Sequence, residues 1–466
     1  MLTVRLTSIR IQNFKNVGDG SLNFENLNKS YRASILGLYG QNGSGKTALI
    51  DALRLLKTVM SGERIDPHYC DLIYTKREFA HLSFEFKVKE GEQMFTIFYE
   101  FKYKTIFDES EDKKLKTKRV ELFDEDLQLK AYGLWAQSKI DCINTNSELP
   151  FRPEKRFRSL VRANKNLATD LIVARKISQK DSKSFVFSKD LLQALSASSD
   201  NIEKILSVLP KLLIRLKQYA DIDLFIIGMK ETGLISFGQM PLSVRYEGNG
   251  FGASGTIPFN LQGTSLIPKT FKPMLTKIVS GMNVALSEIV PGLRIGMRYL
   301  GERLSKDGNE ELEILLTSQK DEFEIPLELE SDGIKKIISI LQLLIFVYNK
   351  ESITVVVDEL DSGIFEFLLG ELLKIISEKG RGQLIFTSHN LRPLETIDKG
   401  FIAFTTTDPQ NRYLRLTNIK MTNNMRDYYF RYIMLNAGSD LIYKKTNNSK
   451  IAMAFNEAMG EMDGSN

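Results

Sequence analysis

One octapeptide limits the folds open to this chain more than any other stretch. Residues 40–47 read GQNGSGKT and match the pattern G-x-x-x-x-G-K-[ST]. They follow the apolar segment ASILGLYG, which reads as a buried strand, and they open a segment that reads as a helix from Lys46 to about Met60. A strand, a glycine-rich turn and a helix in this order predict a phosphate-binding loop in an α/β fold.

The residue types in this loop suit a nucleoside triphosphate. Gly43 and Gly45 let the backbone bend so that successive N–H groups face the phosphates. The Lys46 ammonium is predicted to reach the β and γ phosphates, and the Thr47 hydroxyl is predicted to bind Mg²⁺. The residues predicted to contact the nucleotide here are Gly40, Gln41, Asn42, Gly43, Ser44, Gly45, Lys46 and Thr47.

A second candidate feature is a short apolar strand that ends in two acids. The segment TVVVDE places Asp358 and Glu359 directly after three valines, a pattern typical of a central strand buried on both faces. Asp358 is predicted to hold hydrated Mg²⁺, and Glu359 to position or deprotonate the attacking water. Adjacent acids at a strand end are also common on surfaces, so this interpretation depends on the phosphate loop.

A histidine ends the next predicted strand, LIFTSHN. One crossover separates this strand from the two acids, so His389 is expected near the same edge of the sheet. A neutral imidazole there would hydrogen-bond the γ-phosphate and report its presence. The alternative is a histidine whose hydrogen bonds are satisfied locally at the strand end.

A small polar tripeptide, Ser331 to Gly333, stands before a segment that is apolar almost all the way round. Two explanations fit it. Ser331 would be an N-cap that accepts a hydrogen bond from the first helical turn. Alternatively, the free N–H groups and the positive end of the helix would hold an anion.

The remaining pattern predicts an α/β protein in four segments. Alternation across residues 81–106 predicts a hairpin around Gly91 with one buried side. Residues 231–270 are rich in Gly, Ser and Pro and are predicted to form a loop. Late strands alternate with helices and are predicted to share one mostly parallel sheet with early strands. The predicted segments are an N-terminal lobe (1–150), a mainly helical insertion (151–290), a C-terminal lobe (291–420) and a helical extension (421–466).

Composition restricts the setting in which the chain works. Two cysteines, Cys70 and Cys142, make no disulfide framework and favour a reducing compartment. The N-terminus lacks the apolar core of a signal peptide, and the longest apolar run is too short to cross a bilayer, so we expect a soluble cytoplasmic protein without membrane contact. The net charge of +5 permits DNA contact without requiring it. The basic residues 152–165 suit either a phosphate backbone or a solvated helix face.

These motifs occur in the order found in ABC-type ATPases. The chain resembles the SMC, Rad50 and RecF branch of that family, and more closely the stand-alone ATPases of overcoming-lysogenization and phage-defence systems. The segments that carry the resemblance are IRIQNFKNV, GQNGSGKTALIDAL, ESDGIKK, VVVDELDSG and FTSHN. The resemblance implies an ATPase head with a mixed sheet, an antiparallel β subdomain and a helical insertion, and it implies ATP and Mg²⁺ as cofactors.

The resemblance gives the tripeptide a role between subunits. In this family a serine-containing tripeptide before a helix is the signature motif, which contacts ATP bound by the opposite subunit. Two nucleotides then lie between two heads. Ser331, Gly333 and the helix N-terminus are therefore expected to hold a partner's γ-phosphate, and residues 360–363 are expected to cross the dimer seam.

Other positions follow the family less closely. Phe14 and Lys15 match an N-terminal position that lies near the nucleotide in this branch. Asp332 replaces the first glycine of the Ser-Gly-Gly found in transporters, so its side chain must turn away from a bound phosphate. Gln93 and Gln137 are alternatives for the glutamine of the Q-loop.

Several functions fit such an ATPase. The absence of an apolar span argues against a transporter motor, and the long coiled arms of Rad50 are absent. Overcoming-lysogenization nucleases carry a C-terminal TOPRIM domain with an acidic cluster. The short stretch after the last predicted strand has no such cluster, so we expect any nuclease to act in trans.

The ATPase subunits of PARIS-type phage-defence systems resemble the chain in size, helical insertion and missing nuclease. This resemblance implies a slow ATPase that forms head-to-head dimers within a larger homo-oligomer such as a hexamer. It also implies a separate TOPRIM-type nuclease effector held inactive, and a phage-encoded trigger protein that mimics DNA. A RecF-like DNA-repair ATPase and a Septu-type ATPase with an HNH-nuclease partner are the alternatives.

Overall fold

The structure is a computed structural model that describes residues 2–26, 30–109, 116–132, 136–161, 165–196, 204–228, 231, 233–234, 239–248, 251–415, 425–435, 442–444 and 446–462. The strands in chain order are β1 Leu2–Phe14, β2 Val17–Asn23, β3 Ser34–Tyr39, β4 Phe79–Glu90, β5 Gln93–Glu109, β6 Lys116–Tyr132, β7 Ala136–Asn144, β8 Leu224–Ile227, β9 Gln239–Gly248, β10 Phe251–Asn260, β11 Ser265–Pro268, β12 Leu293–Leu304, β13 Glu310–Lys320, β14 Phe323–Pro326, β15 Thr354–Val357, β16 Gln383–Thr387, β17 Ile402–Thr405 and β18 Tyr413–Leu414.

The helices in chain order are α1 Lys46–Ser61, α2 Glu154–Val161, α3 Lys165–Lys180, α4 Lys189–Ser196, α5 Lys204–Gln218, α6 Lys272–Ile289, α7 Asp332–Asn349, α8 Glu366–Lys379, α9 Pro393–Thr396, α10 Met425–Leu435 and α11 Asn448–Met462. Short 3₁₀ or π turns lie at Pro67–Leu72, Tyr219–Asp223, Lys269–Phe271, Leu327–Leu329 and Lys399–Phe401. The predicted α/β class, with a mixed sheet and a separate antiparallel sheet, is confirmed.

A mixed sheet in the order β18-β17-β3-β16-β15-β8 lies at the centre of the fold. The strands from β17 to β8 run parallel, and β18 joins one edge antiparallel. Strand β3 is buried along its whole length, and so is β15. Alternate residues face two hydrophobic cores: Val356 packs in one core, and Val355 and Val357 pack in the other. The sheet thus joins early and late strands, as predicted.

An antiparallel sheet in the order β2-β1-β4-β5-β6-β7 lies in the N-terminal part of the chain. The predicted hairpin is confirmed, because β4 pairs with β5 around Gly91, which has a φ of 58°. Its buried side packs against α1 and α5 in the first core. Residues on that side are Leu82, Phe84, Phe86, Val88, Phe95, Ile97, Tyr99, Phe101 and Tyr103.

The prediction of a loop over residues 231–270 is wrong. Strands β9 and β10 pair antiparallel through ten residues each, and β11 pairs with β13. Met240, Leu242 and Phe259 are buried in the second core. Apolar side chains therefore recur with the two-residue period of a strand, although the Gly, Ser and Pro content favoured a loop. Strand β8 also lies within the predicted helical segment, where it forms an edge of the central sheet.

The late part of the chain includes two helices, α10 and α11, in the segment predicted to be helical. Residues 416–424, 436–441, 445 and 463–466 of that stretch lie outside the described residues. Among the helices that the structure describes, none combines the length and the apolar character needed to span a membrane.

Candidate nucleotide-binding site

The phosphate loop connects the carboxyl end of β3 to the first residue of α1. Gly43 and Gly45 have φ values of 75° and 98°, a region that only glycine occupies without strain. A Cβ built on Gly43 would contact nothing, so this side of the loop is open, whereas a Cβ on Gly40 would lie 1.8 Å from Thr405 Oγ1. The loop is therefore open on one side and tightly packed on the other.

The Lys46 side chain lies across the loop. Its ammonium donates hydrogen bonds to the carbonyl oxygens of Gly40, at 2.8 Å, and Gln41, at 3.2 Å. Burial lowers the pKa of Lys46, while the nearby carboxylates of Asp358 and Glu359 oppose that shift. Lys46 also lines the open cleft beside the loop, where its ammonium can neutralise a phosphate.

An open cleft of about 450 Å³ gathers most of the predicted site residues from four separate segments. The predicted residues that line it are Lys15, Asn42, Gly43, Gly45, Lys46, Thr47, Asp358, Glu359 and His389. Gly40, Gln41 and Ser44 lie in the loop without lining the cleft. The carboxyl ends of β3, β15 and β16 meet there because the three strands are parallel neighbours.

Asp358 has an environment that fits a metal ligand. It is 2% exposed, and its Oδ1 accepts a hydrogen bond of 2.6 Å from the Thr387 hydroxyl. Its Oδ2 is buried without a hydrogen-bond partner among the described residues. Mg²⁺ is typically held by one or two protein oxygens and several waters. Asp358 and the Thr47 hydroxyl, both in the cleft, would hold such an ion.

Glu359 occupies an uncommon backbone conformation. Its φ is 49°, which costs an L residue about 1–3 kcal/mol and often marks a functional turn. The backbone N–H donates to Thr387 Oγ1 at 2.8 Å, and the carbonyl oxygen accepts from Lys336 Nζ at 2.5 Å. These bonds hold both peptide groups of Glu359, and its side chain lines the cleft.

His389 follows β16, and its side chain is exposed in the cleft. Its backbone N–H donates to Asp361 Oδ2 at 3.1 Å, and the N–H of Asn390 donates to the same oxygen at 2.9 Å. The turn after β16 is thereby fixed to the loop after the two acids. His389 lines the cleft, and its contact with a γ-phosphate stays a prediction.

Phe14 and Lys15 lie in different environments, Phe14 in the first core and Lys15 at the cleft. Phe14 has no exposed area and packs in the first core, next to Lys15, so its predicted place near the nucleotide stays a prediction. Lys15 lines the cleft and forms an ion pair of 2.6 Å with Asp51. The next residue, Asn16, was not predicted; its amide donates to the carbonyl oxygen of Gly43.

Ser331 is the N-cap of α7, here called the signature helix (Asp332–Asn349). Its hydroxyl accepts a hydrogen bond of 3.3 Å from the N–H of Ile334, which confirms the capping explanation. Asp332 turns along the helix to pair with Lys335 at 3.2 Å. Ser331 is exposed and does not line the cleft of its own chain. Capping therefore leaves one face of the helix N-terminus accessible to a second molecule.

A hairpin near the end of the central sheet supports the loop from behind. Arg412, 4% exposed, donates to the carbonyl oxygens of Asn16 at 2.5 Å and Thr406 at 2.7 Å. Tyr413 donates to the carbonyl oxygen of Gly45 at 3.0 Å. These residues belong to no motif, so no sequence pattern predicted them.

Thr387 ends strand β16 within the segment LIFTSHN, was not among the predicted site residues, and links the two acids. We expect Thr387→Val to lower kcat about tenfold, because small misplacements of positioned groups are costly, and to lower stability by about 1–3 kcal/mol, because Asp358 Oδ1 loses a buried donor. Steady-state ATP hydrolysis and thermal unfolding of the purified variant would measure both effects.

The matched control is Thr354→Val. Thr354 is also fully buried on β15, and its hydroxyl bonds to Gln383 at 3.0 Å and Tyr219 at 2.7 Å, away from the cleft. It should lose similar stability and keep its kcat. Equal kcat values for wild type and Thr387→Val would show that Thr387 positions neither acid.

A family model described as "AAA domain, putative AbiEii toxin, Type IV TA system" matches residues 35–395. The matched region includes the phosphate loop, the signature helix, both acids and His389. None of the curated proteins compared with the chain matches it.

Several solved structures are similar to this chain. The SMC head domain from Thermotoga maritima is 15% identical, covers 89% of this chain and 99% of its own, and has a TM-score of 0.38. The Smc head domain with an extended coiled coil, derived from Pyrococcus furiosus and bound to the C-terminal domain of ScpA, is 11% identical, with coverages of 89% and 96% and a TM-score of 0.38. The recombination mediator protein RecF with ATP is 13% identical, with coverages of 83% and 94% and a TM-score of 0.33.

Proposed function

Since this chain belongs to the family of AbiEii-type AAA domains, we propose that it is an ABC-type ATPase that binds ATP with Mg²⁺ in the cleft and hydrolyses it slowly. The observation that carries the proposal is the convergence of Lys46, Asp358 and Glu359 on one cleft. A bound Mg²⁺ would neutralise charge on the phosphate oxygens. The unpartnered Oδ2 of Asp358 is the group best placed to hold its hydration shell.

The chain's own side chains divide the remaining work. The Lys46 ammonium would exchange its bonds with loop carbonyls for bonds with the β and γ phosphates. The Glu359 carboxylate would orient the attacking water and accept its proton. The His389 ring would donate a hydrogen bond to the γ-phosphate. The main contribution of the site is positioning and charge neutralisation, as phosphoryl transfer generally requires.

The signature helix would complete the site of a second copy. Ser331 is exposed at the helix N-terminus and absent from its own cleft, which suits a contact with nucleotide on a partner. Two heads would then enclose two nucleotides, and larger homo-oligomers such as hexamers would be built from these dimers. ATP would thus serve as part of the interface.

Ser331→Arg tests this shared site. The long arginine side chain at the helix N-terminus should occupy the space that the partner's phosphate needs. We therefore expect hydrolysis to be abolished while ATP binding in the chain's own cleft persists. Loss of the N-cap should cost only about 1 kcal/mol of stability. ATP hydrolysis and binding of a fluorescent ATP analogue would be measured in parallel.

A mixing experiment is the control for this variant. Lys46→Ala and Ser331→Arg should each be inactive alone. A mixed dimer keeps one intact site, made of Lys46 from one chain and Ser331 from the other, so mixing should restore part of the activity. Normal hydrolysis by Ser331→Arg, or no recovery on mixing, would contradict a site shared between subunits.

In the cell, we propose that these ATP-closed assemblies hold a separate nuclease of TOPRIM type inactive until a phage-encoded protein triggers its release. The resemblance to PARIS-type ATPase subunits supports this role. The description of the matching family includes a type IV toxin–antitoxin system, which supports action together with a separate partner. DNA contact would involve basic residues within 152–165.

Affinity purification tests the cellular role. A tagged Glu359→Gln chain would be expressed with its native neighbouring genes, purified in ATP, and analysed by protein identification and native mass. A co-purifying TOPRIM nuclease in a defined assembly would support the proposal, whereas an HNH nuclease would favour the Septu-type alternative. A dimer that carries DNA and no protein partner would favour a RecF-like repair ATPase.

A further inference from the structure

Two contacts fix the signature helix to the loop that carries the Glu359 carboxylate. Gly333, in the first turn, packs so closely that a Cβ there would lie 2.1 Å from the carbonyl oxygen of Gly363. Lys336 Nζ lies 2.5 Å from the carbonyl oxygen of Glu359. The N-terminal turn of the helix and residues 359–363 therefore form one packed unit.

Lys336 is an unusual residue for its position. It is 3% exposed on a helix whose neighbouring buried positions are mostly apolar, so packing alone would favour an aliphatic side chain. Burial lowers the pKa of Lys336 to about 8. Its charged form is favoured by three nearby carboxylates, those of Asp361, Glu359 and Asp358. The ammonium is thus placed among the acids of the cleft by a helix that does not line it.

The carbonyl that Lys336 contacts belongs to a strained residue. Glu359 has a φ of 49°, so the direction of its side chain depends on how its two peptide groups are held. Thr387 holds the N–H and Lys336 holds the carbonyl oxygen. A shift of the signature helix would pull on the second of these bonds and rotate the carboxylate relative to the cleft.

We propose that Lys336 is a positioning residue that ties the orientation of Glu359 to the position of the signature helix. This inference rests on the proposed ATPase function. A partner's nucleotide, held at the N-terminus of the signature helix, would then fix the orientation of the Glu359 carboxylate. That carboxylate acts on the nucleotide in the chain's own cleft. Occupation of one site would thereby raise the rate of hydrolysis at the other through this bond, so a dimer with a single intact site would keep part of the activity.

The test compares Lys336→Met with wild type in ATP hydrolysis and in equilibrium binding of ATP. Methionine keeps the length and apolar stem but has no donor. We expect kcat to fall about 100-fold, because the attacking geometry is disturbed, while the Kd for ATP changes by less than about threefold, because Lys336 does not line the cleft. Lys336→Arg, which keeps a charged donor, should restore part of kcat.

Lys57→Met is the matched control. Lys57 also lies on a helix, α1, and donates at 2.7 Å to a carbonyl oxygen of the central sheet, that of Leu224. Its loss should lower the melting temperature without lowering kcat. Normal kcat in Lys336→Met, or kcat losses in both variants that follow their melting temperatures, would overturn the inference.

If Lys336→Met does not fold, Lys336→Gln carries the same test. Its amide keeps an N–H donor on a shorter side chain, so the inference requires a lowered kcat with an unchanged Kd, and a normal kcat overturns it. A wild-type chain that binds no ATP would instead refute the proposed function. That result is visible before any variant is compared.

Discussion

Replacing Lys46 by alanine is expected to remove ATP binding and hydrolysis together. Lys46 lines the cleft beside the phosphate loop, and its charge-assisted bonds to the β and γ phosphates should contribute about 3 kcal/mol, or about 100-fold in Kd. Binding of a fluorescent ATP analogue and steady-state phosphate release would measure the two losses. The proposed defence role further requires that cells carrying this variant lose protection against phage.

The structure offers a control for the loss of a buried lysine. Lys57→Ala removes a similar bond between a helix and a strand carbonyl, outside the cleft, and should leave ATP binding intact. Thermal unfolding separates a folding defect from a binding defect, because Lys46 also bonds Gly40 and Gln41. A folded Lys46→Ala chain that binds ATP normally, or that protects cells as well as wild type, would refute the ATP-gated account.

Replacing Glu359 by glutamine is expected to separate binding from hydrolysis. Loss of a general base typically lowers kcat by about 100-fold to 10,000-fold. The backbone bonds of Glu359 to Thr387 and Lys336 do not involve the carboxylate, so the turn should persist. The Kd for ATP should stay within about threefold of wild type. Single-turnover hydrolysis and equilibrium ATP binding would show the split.

Glu231→Gln is the control for this substitution. Glu231 pairs with Arg54 at 2.8 Å and does not line the cleft, so its kcat should match wild type. If Glu359→Gln hydrolyses ATP at the normal rate, another group activates the water, and the assignment of Glu359 is wrong. If it loses ATP binding as well, the residue supports the cleft and does not act only in hydrolysis.

The central elements could be predicted because their signals are local. The phosphate loop is a contiguous octapeptide, and three successive valines predict that β15 is buried. Parallel strands then bring their carboxyl ends together, so Asp358, Glu359 and His389 were expected at one edge. The cleft in the structure contains all three beside the loop.

The missed residues act through contacts between distant segments. Thr387 bonds to Asp358 across adjacent strands, Lys336 reaches Glu359 from another helix, and Arg412 supports Asn16 from the end of the sheet. No local pattern marks such pairs, since each depends on how the elements pack. Strands β9 and β10 were missed for a different reason. Their content of glycine, serine and proline favoured a loop, whereas pairing of the two strands and burial of alternate side chains in the folded chain favour a hairpin.

Native mass spectrometry of the Glu359→Gln chain in ATP and Mg²⁺ tests the central claim most directly. The account predicts one ATP for each chain and assemblies with an even number of chains, both lost when Lys46→Ala is added. A chain that stays free of nucleotide at millimolar ATP, or that keeps its ATP after loss of Lys46, would contradict the assignment of the cleft as the ATP site.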